Sequence, residues 1–510
     1  MTDALLCLDS GTTAVKAAAF SLDGRVLAME EMPNEALVRS GPRVEQDMEE
    51  TRRAAFLLLA RLGARLEDMR LRVLVLTGQG DGLWPVGQDG RPLGPALTWL
   101  DGRANGLLPE LEAQGTLARL RQITLSQPTA ASQPLQLLWL ARHEPERLAA
   151  LGTALRCKEW LLYTLTGELL TEPSAVLPSW GDWRRQELCE GVAESLGLPP
   201  VASLLPQVVP MRACAAPLAA AAARATGLPA GLPVLLGPGD AQASAIGLGV
   251  GVHPGLARAS LFGTSAIHMR HLDDLAQVRE EPPGAMLLPF VEEGEYLRIL
   301  PALNGATVLR HVHDLLGQGR AAGFAPSGLL MLPFLERSGE RAPVTTPHAS
   351  GALVGLKAGD GATEAMSAAQ EGLAFAARMS HALMGNEPGP VALGGGLAGD
   401  GQFATLLATA LQRPVRRNAT AHAGLAGLGL VGARHLLGGP LSELGAGWLS
   451  AEPLVTEPRS DLLAEYLERK YTLFSALLER LAPLWPEMTT VASMAGQLAA
   501  QTLNSLPEQG

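Results

Sequence analysis

The chain has 510 residues, 47% of them hydrophobic, and a formal net charge of -11. That length is too great for one core and points to about two to four domains at roughly 100–200 residues each. With only four lysines and dispersed arginines, the acidic balance excludes a polybasic surface of the kind that grips nucleic acid. Cys7, Cys157, Cys189 and Cys214 form no C-x-x-C pair and read as reduced thiols of a cytoplasmic protein. The most apolar region, residues 215–236, is broken by Arg224, prolines and glycines, so no membrane span of ~20 apolar residues is expected.

Residues 4–8, 15–20 and 25–29 read as strands joined by tight turns, the second carrying Asp23-Gly24. The first turn is Asp9-Ser10-Gly11-Thr12-Thr13. It exposes backbone N–H groups and hydroxyls beside a carboxylate, a set able to hold phosphate and hydrated Mg²⁺. Taken alone, it reads first as an ordinary hairpin turn. Asp47, with Glu50 three residues on, resembles a capping box opening a helix whose apolar stripe is Ala55, Leu58, Leu59, Leu62 and Leu66. Residues 72–76 form a short buried strand ending in Thr77-Gly78-Gln79-Gly80-Asp81-Gly82, which makes the opening a mixed α/β sheet.

From about residue 101 to 223 the text is largely helical, with breaks at Pro128, Pro134, Pro173 and Pro178. Residues 233–236 return as a strand, run into Gly237-Pro238-Gly239-Asp240, and lead to a helix over 241–248. Residues 249–255 read as a domain boundary. Beyond it, a strand (256–262), the turn Gly263-Thr264-Ser265 and a second strand (266–270) repeat the opening pattern, suggesting two domains on one plan. Helices are expected over 373–383 and 403–411, and a strand over 391–393 ends in Gly394-Gly395-Gly396. A charged amphipathic helix over 461–481 and a frayed tail close the chain.

Glycines at strand ends allow close approach of a ligand to the backbone. No G-x-x-x-x-G-K-[ST] is present and no G-x-G-x-x-G with a following ribose-binding acid stands out, so a nucleotide's phosphates would sit between two turns, one per domain. Asp240 lies at a strand-to-helix junction, where the helix dipole favours an ionised carboxylate; helix capping explains an aspartate there equally well. Asp81 has glycines on both sides and Trp84 just after, which suits either a solvated loop or a grip on a polyhydroxylated ligand. His422 reads as packed rather than catalytic.

Taken together, these segments resemble the FGGY carbohydrate kinases of the actin/hexokinase/Hsp70 superfamily, over roughly residues 4–440. Asp9-Ser10-Gly11-Thr12-Thr13 is similar to that family's first phosphate motif, and Val44-Glu45-Gln46-Asp47 to its VEQDP segment, with Met48 in place of proline. Trp99-Leu100-Asp101-Gly102-Arg103 resembles its W-x-D-x-R, and residues 226–234 its TGLPxGxPV. Gly237 to Ala245 resembles the segment bearing the catalytic aspartate, and Leu261-Phe262-Gly263-Thr264-Ser265 the second phosphate motif. Residues 351–356 resemble the start of the second signature, although Ala365 stands where a larger apolar residue is usual, and Gly394-Gly395-Gly396 resembles the adenosine motif.

The resemblance implies an α/β, two-domain actin/hexokinase/Hsp70-like (ribonuclease H-like) fold with an interdomain active-site cleft. Its domains would be 1–250 and 251–445, with 446–510 as a helical extension. It implies ATP and Mg²⁺ as cofactors, with Asp9 and Asp240 at the metal and Asp240 as the base that takes the acceptor's proton. Nucleotide contacts would come from Gly11, Thr12, Thr13, Lys16, Gly263, Thr264, Ser265, Asn304, Gly305, Gly395, Gly396 and Gln402. The acceptor would meet Gln79, Gly80, Asp81, Trp99, Asp101, Asp240 and Ala241, whereas Arg103 reads as a brace. A cytoplasmic homodimer with a sugar or polyol substrate, and no nucleic-acid or membrane partner, follows from the same resemblance.

The acceptor loop departs from the pattern. Xylulokinases carry GQMHG where this chain has Gly78-Gln79-Gly80-Asp81-Gly82; glycerol kinases carry Arg-Glu, and the Gly-Asp form resembles erythritol kinases. A carboxylate accepts two hydroxyl hydrogens, whereas neutral imidazole donates one and accepts one. A pentulose such as D-xylulose leads, with erythritol or another C4–C5 polyol close behind, then L-xylulose or gluconate. The readings outside the kinases are an actin- or Hsp70-like ATPase and an inactive sugar-binding regulator.

Overall fold

A computed structural model describes residues 2–278, 282–316, 324–417, 422–449 and 453–504. The first lobe is built on β1 (Thr2–Ser10), β2 (Ala14–Ser21), β3 (Val26–Pro33), β4 (Met69–Gly78), β5 (Ala215–Pro217) and β6 (Pro233–Leu236), in the order β5-β6-β4-β1-β2-β3. Strands β1 to β3 form an antiparallel meander, β1, β4 and β6 run parallel, and β5 is an antiparallel edge. As the strand between the meander and the parallel half, β1 is covered on both faces, which is why residues 4–8 are continuously apolar and all fully buried. Helix α1 (Met48–Ala64) packs on this sheet through Ala55, Leu58, Leu59 and Leu62. Asp47 caps it by accepting from Glu50 N at 2.8 Å, but the expected box is only half formed, because the Glu50 side chain turns to Arg53.

The segment expected to be largely helical is mixed. It contains α2 (Gln133–His143) and α3 (Cys157–Thr166), but also the strand Leu151–Leu155, which pairs with Trp84–Gly87. The five residues Leu151-Gly152-Thr153-Ala154-Leu155 are too few to carry a periodicity that separates strand from helix. Pro178 sits inside the helix Pro173–Trp180 rather than breaking it. This region has its own core around Leu83, Leu97, Leu138, Trp139 and Trp180, and it forms one wall of the cleft. The lobe closes with α4 (Asp240–Gly247) directly after β6.

The second lobe repeats the plan. Strands β7 (Arg258–Phe262), β8 (Ala266–Leu272), β9 (Met286–Pro289), β10 (Tyr296–Ala302), β11 (Val391–Gly395), β12 (Val415–Arg417) and β13 (Leu454–Thr456) lie in the order β9-β10-β8-β7-β11-β12-β13. Again an antiparallel meander (β10-β8-β7) leads to parallel neighbours (β7, β11, β12) and an antiparallel edge. Helices α5 (Ala362–Leu383) and α6 (Gly401–Leu411) pack in its core. Helix α7 (Ala423–Leu437), in contrast, lies against α4 and the first sheet, and the Trp448 ring packs tilted against Phe20. Helix α8 (Leu462–Leu481) puts Leu467, Phe474 and Leu478 into the second core. The expected frayed tail is instead a helix, α9 (Trp485–Asn504), rich in Ala, Leu and Met with no charged residue after Glu487.

The lobes are joined where α4 crosses α7 at backbone contact. A Cβ on Gly247 would lie 1.8 Å from the Ala423 carbonyl oxygen, and one on Gly427 would lie 1.9 Å from that of Ala243. Only paired glycines allow this approach, and it brings both sheets onto one shared core that includes Val75, Ile246, Leu428 and Met269.

Candidate active site

The carboxyl ends of β1, β4 and β6 lie side by side: Gln79 N donates to Ser10 O at 2.9 Å, and Gly237 N to Leu76 O at 2.8 Å. Loops leaving these ends carry the site, as in other parallel α/β sheets. Asp9 stands one residue before the end of β1, paired across the hairpin with Lys16, which also meets Glu31 at 3.5 Å. Asp240 opens α4, where Ala241 N donates to its Oδ1 at 2.8 Å and Gly80 N adds a second bond.

The two acids share one environment. Burial and the neighbouring Asp240 charge push the Asp9 carboxyl up to about 7 against the opposing pull of Lys16, and its Oδ1 is buried with no hydrogen-bond partner. Burial also raises Asp240, offset by the two amides and the charge of Lys158. A pair of raised carboxylates with an orphaned oxygen fits a cation. Among the described residues no group of three or more His, Cys, Asp or Glu forms a metal cage. That suits a hydrated divalent ion whose other ligands are water and phosphate.

On the acceptor side, Gln79 is held by Gln46, donating to its Oε1 at 2.6 Å. Asp81 has φ 51° and Gly82 φ 91°, so the loop makes a left-handed turn that aspartate tolerates and that glycine is required to complete. A Cβ on Gly82 would come within 2.6 Å of Leu97 O. Asp81 Oδ1 accepts from Gly82 N at 3.0 Å and from Gln133 N, the first residue of α2, at 3.3 Å. Trp99 Nε1 donates to Thr12 Oγ1 at 2.8 Å, tying the acceptor loop to the first phosphate turn. Asp101 does not reach the pocket: its oxygens serve Val44 N and Arg103, in a buried brace. An acid two residues before an arginine is consumed locally, which corrects the expectation for Asp101 and keeps that for Arg103.

From the second lobe, Gly263, Thr264 and Ser265 face the cleft, and Ala306 N donates to Gly263 O at 2.8 Å. Gly305 supports this turn by close approach, since a Cβ there would lie 2.3 Å from the Ser265 carbonyl carbon. Asn304 lines the cleft, but its amide is taken by Glu340, Leu335 N and Glu336 N. Gly395 lies opposite Phe262 in the ladder, beside the turn, with φ 83° and no room for a Cβ. Gly396 and Gln402 are exposed nearby, outside the cavity lining. Lys16 and Gly11 also sit behind the lining, while Thr12, Thr13, Gly80 and Ala241 form part of it.

The resulting cavity, about 700 Å³, is walled by both lobes. Its charged residues absent from the sequence reading include Arg156, Lys158 and Arg341. Lys158 Nζ donates to Glu172 and to Gly237 O at 2.7 Å, bracing the loop before Asp240. Arg341 crosses from the second lobe to Trp99 O at 3.2 Å, with its guanidinium 5.8 Å from the ring. Lys158 carries a faint sequence signal, as one of only four lysines.

The models of the FGGY carbohydrate kinase N-terminal and C-terminal domains match residues 4–247 and 310–436. An erythritol kinase of Brucella abortus is 30% identical over 96% of this chain and 98% of its own length. A xylulose kinase of Streptomyces coelicolor is 30% identical over 72% of this chain and 73% of its own. Among solved structures, a ligand-bound xylulose kinase from Lactobacillus acidophilus superposes with TM-score 0.86 at 21% identity, covering 95% of this chain and 100% of that one. A Plasmodium falciparum glycerol kinase with ADP gives 0.81 at 16% identity, covering 94% and 98%. With both domain models matched in order and a relative aligned from end to end, this chain belongs to the FGGY family of carbohydrate kinases and is an ATP-dependent phosphotransferase acting on an alcohol group.

Proposed function

We propose that the acceptor is a small neutral polyol, a tetritol such as erythritol, ahead of a pentulose such as D-xylulose. Sequence alone ranked these two in the other order. What supports the reversal is Asp81: its Oδ1 is occupied by backbone amides and its Oδ2 has no donor among the described residues, which suits it to accept from hydroxyls. That the full-length relative is an erythritol kinase agrees with this.

In this reading ATP lies across the cleft with its phosphates between Thr12-Thr13 and Gly263-Thr264-Ser265, and its adenosine toward Gly395, Gly396 and Gln402. Mg²⁺, held through water by Asp9 and Asp240, would supply neutralisation of phosphate charge. Asp240 accepts the proton of the attacking hydroxyl, and burial makes it a stronger base than an exposed aspartate. Lys158 keeps that carboxylate aligned through the Gly237 carbonyl. Closing the lobes expels water and restrains idle ATP hydrolysis. We assign residues 1–250 and 251–445 as the domains, with 446–510 completing the second through β13 and α8, and we infer a cytoplasmic homodimer.

A coupled ADP-release screen over tetritols, pentuloses, glycerol and hexonates tests the acceptor. A tetritol should give the highest kcat/KM. A pentulose preferred by about tenfold, or 1.4 kcal/mol, reverses the assignment.

A further inference from the structure

One wall of the cavity holds a cation that the mechanism leaves unused. Arg156 follows the strand Leu151–Leu155 and precedes α3, and it is only 3% exposed although it lines the cavity. Its Nη1 and Nη2 are buried with no hydrogen-bond partner. The nearest acid, Glu159, stands 4.0 Å from Nη1 and is engaged elsewhere, accepting from Arg156 N at 2.6 Å and from the Thr171 hydroxyl. Across the same cavity Asp81 feels the Arg156 charge, yet no ion pair joins them among the described residues. A buried guanidinium whose terminal nitrogens make no hydrogen bond and meet only one long ion pair is costly, and a carboxylate oxygen without a donor in the same cavity adds to that cost.

We propose that Arg156 and Asp81 form a donor–acceptor pair that binds adjacent hydroxyls of a neutral polyol, making Arg156 a specificity-determining residue. The inference rests on the kinase reading above. A hydroxyl can accept from the guanidinium while it or its neighbour donates to the carboxylate, so a diol satisfies both groups at once. A carboxylate ligand would satisfy Arg156 but would face the like charge of Asp81. The pair therefore selects polyols over the corresponding sugar acids. Arg341, whose charge also reaches Asp81, lines the cavity from the second lobe but is engaged by the Trp99 carbonyl. A site built to bond a hydroxyl discriminates against a ligand that lacks it, because the buried groups are then left unpaired.

The test is calorimetric binding to the full-length enzyme, independent of turnover. Erythritol, the triol lacking one inner hydroxyl, and erythronate are each titrated into wild type, Arg156→Gln, Arg156→Lys and Asp81→Asn, with ADP binding as the check on folding. Arg156→Gln should weaken erythritol about 10²-fold, the size of a lost charge-assisted bond, and Arg156→Lys should recover part of it. Against the triol the wild type should already be weak, and Arg156→Gln should cost it little more. Wild-type preference for erythronate, no erythritol binding, or an equal loss on erythritol and the triol overturns the pair. If Arg156→Gln fails to bind ADP, the Asp81→Asn titrations decide by the same criteria. Binding as expected but without phosphate transfer would instead reject the kinase reading and leave the pair standing.

Discussion

The two hairpins that face each other across the cleft share a backbone plan and differ in chemistry. In the first lobe, the second residue pair behind the turn is Asp9–Lys16; in the second, the matching pair is Leu261–Ile267. Both hairpins feed a meander and then a parallel neighbour, so their turns present N–H groups and hydroxyls toward the cleft alike. Only the first keeps a charged pair there, with Asp240 and Asp81 close by. In the proposed reading the first lobe holds the acids that act on the acceptor and cation, while the second offers phosphate a turn whose own hairpin carries no carboxylate. Duplicated topology fixes where the turns meet, and single side chains decide which turn carries out the chemistry.

The largest effect should come from the acidic lobe. Asp240→Asn should lower kcat by ~10²-fold or more, with ADP affinity retained when measured by calorimetry. Next, Gly305→Ala should damage the second lobe's turn, since its Cβ would strike the Ser265 backbone. Nucleotide KM should rise by roughly tenfold, the scale of a distorted positioning contact, while erythritol affinity stays within about twofold. An opposite split in either variant would undo the division of labour. At the joint, Gly247→Ala should cost ~1–3 kcal/mol of stability by overpacking, read as a drop in denaturation midpoint, because the contact is with backbone and cannot be relieved by a rotamer.

The last effect is a pH dependence seated in the core of the second lobe. His268 and His381 share the Ser260 hydroxyl at 2.9 Å each in its core, and burial holds His268 down to about 3. The unfolded histidine, with its ordinary value of 6.5, takes up a proton that the folded one refuses. The His268 contribution to stability should therefore be full above pH 6.5 and decline as pH falls toward 3. His268→Leu should flatten that slope.

Much of this was legible in the sequence. Residues 4–8 betray a strand covered on both faces, and Gly263-Thr264-Ser265 announces the repeat of the opening turn. Asp9 and Asp240 stand out because each follows an apolar run into glycine. Arg156, Lys158 and Arg341 did not, since charges amid helical or loop text look solvated until the fold buries them. Their partners are also distant in sequence: Lys158 meets Gly237, and Arg341 meets Trp99. Asp101 misled in the opposite direction, because its proximity to Trp99 suggested the pocket while its oxygens were already committed to Arg103 and Val44. The helix α9 was missed because a run short of charge at a chain end resembles a tail, although its residues are strong helix formers.

Product balance tests the central claim most directly. Wild-type enzyme is given ATP, Mg²⁺ and erythritol, and phosphomonoester and ADP are quantified together by phosphorus NMR. A polyol kinase predicts one phosphomonoester per ADP, with almost no ADP when the polyol is omitted. ADP formed at the same rate without polyol, or with free phosphate in place of the ester, would contradict it.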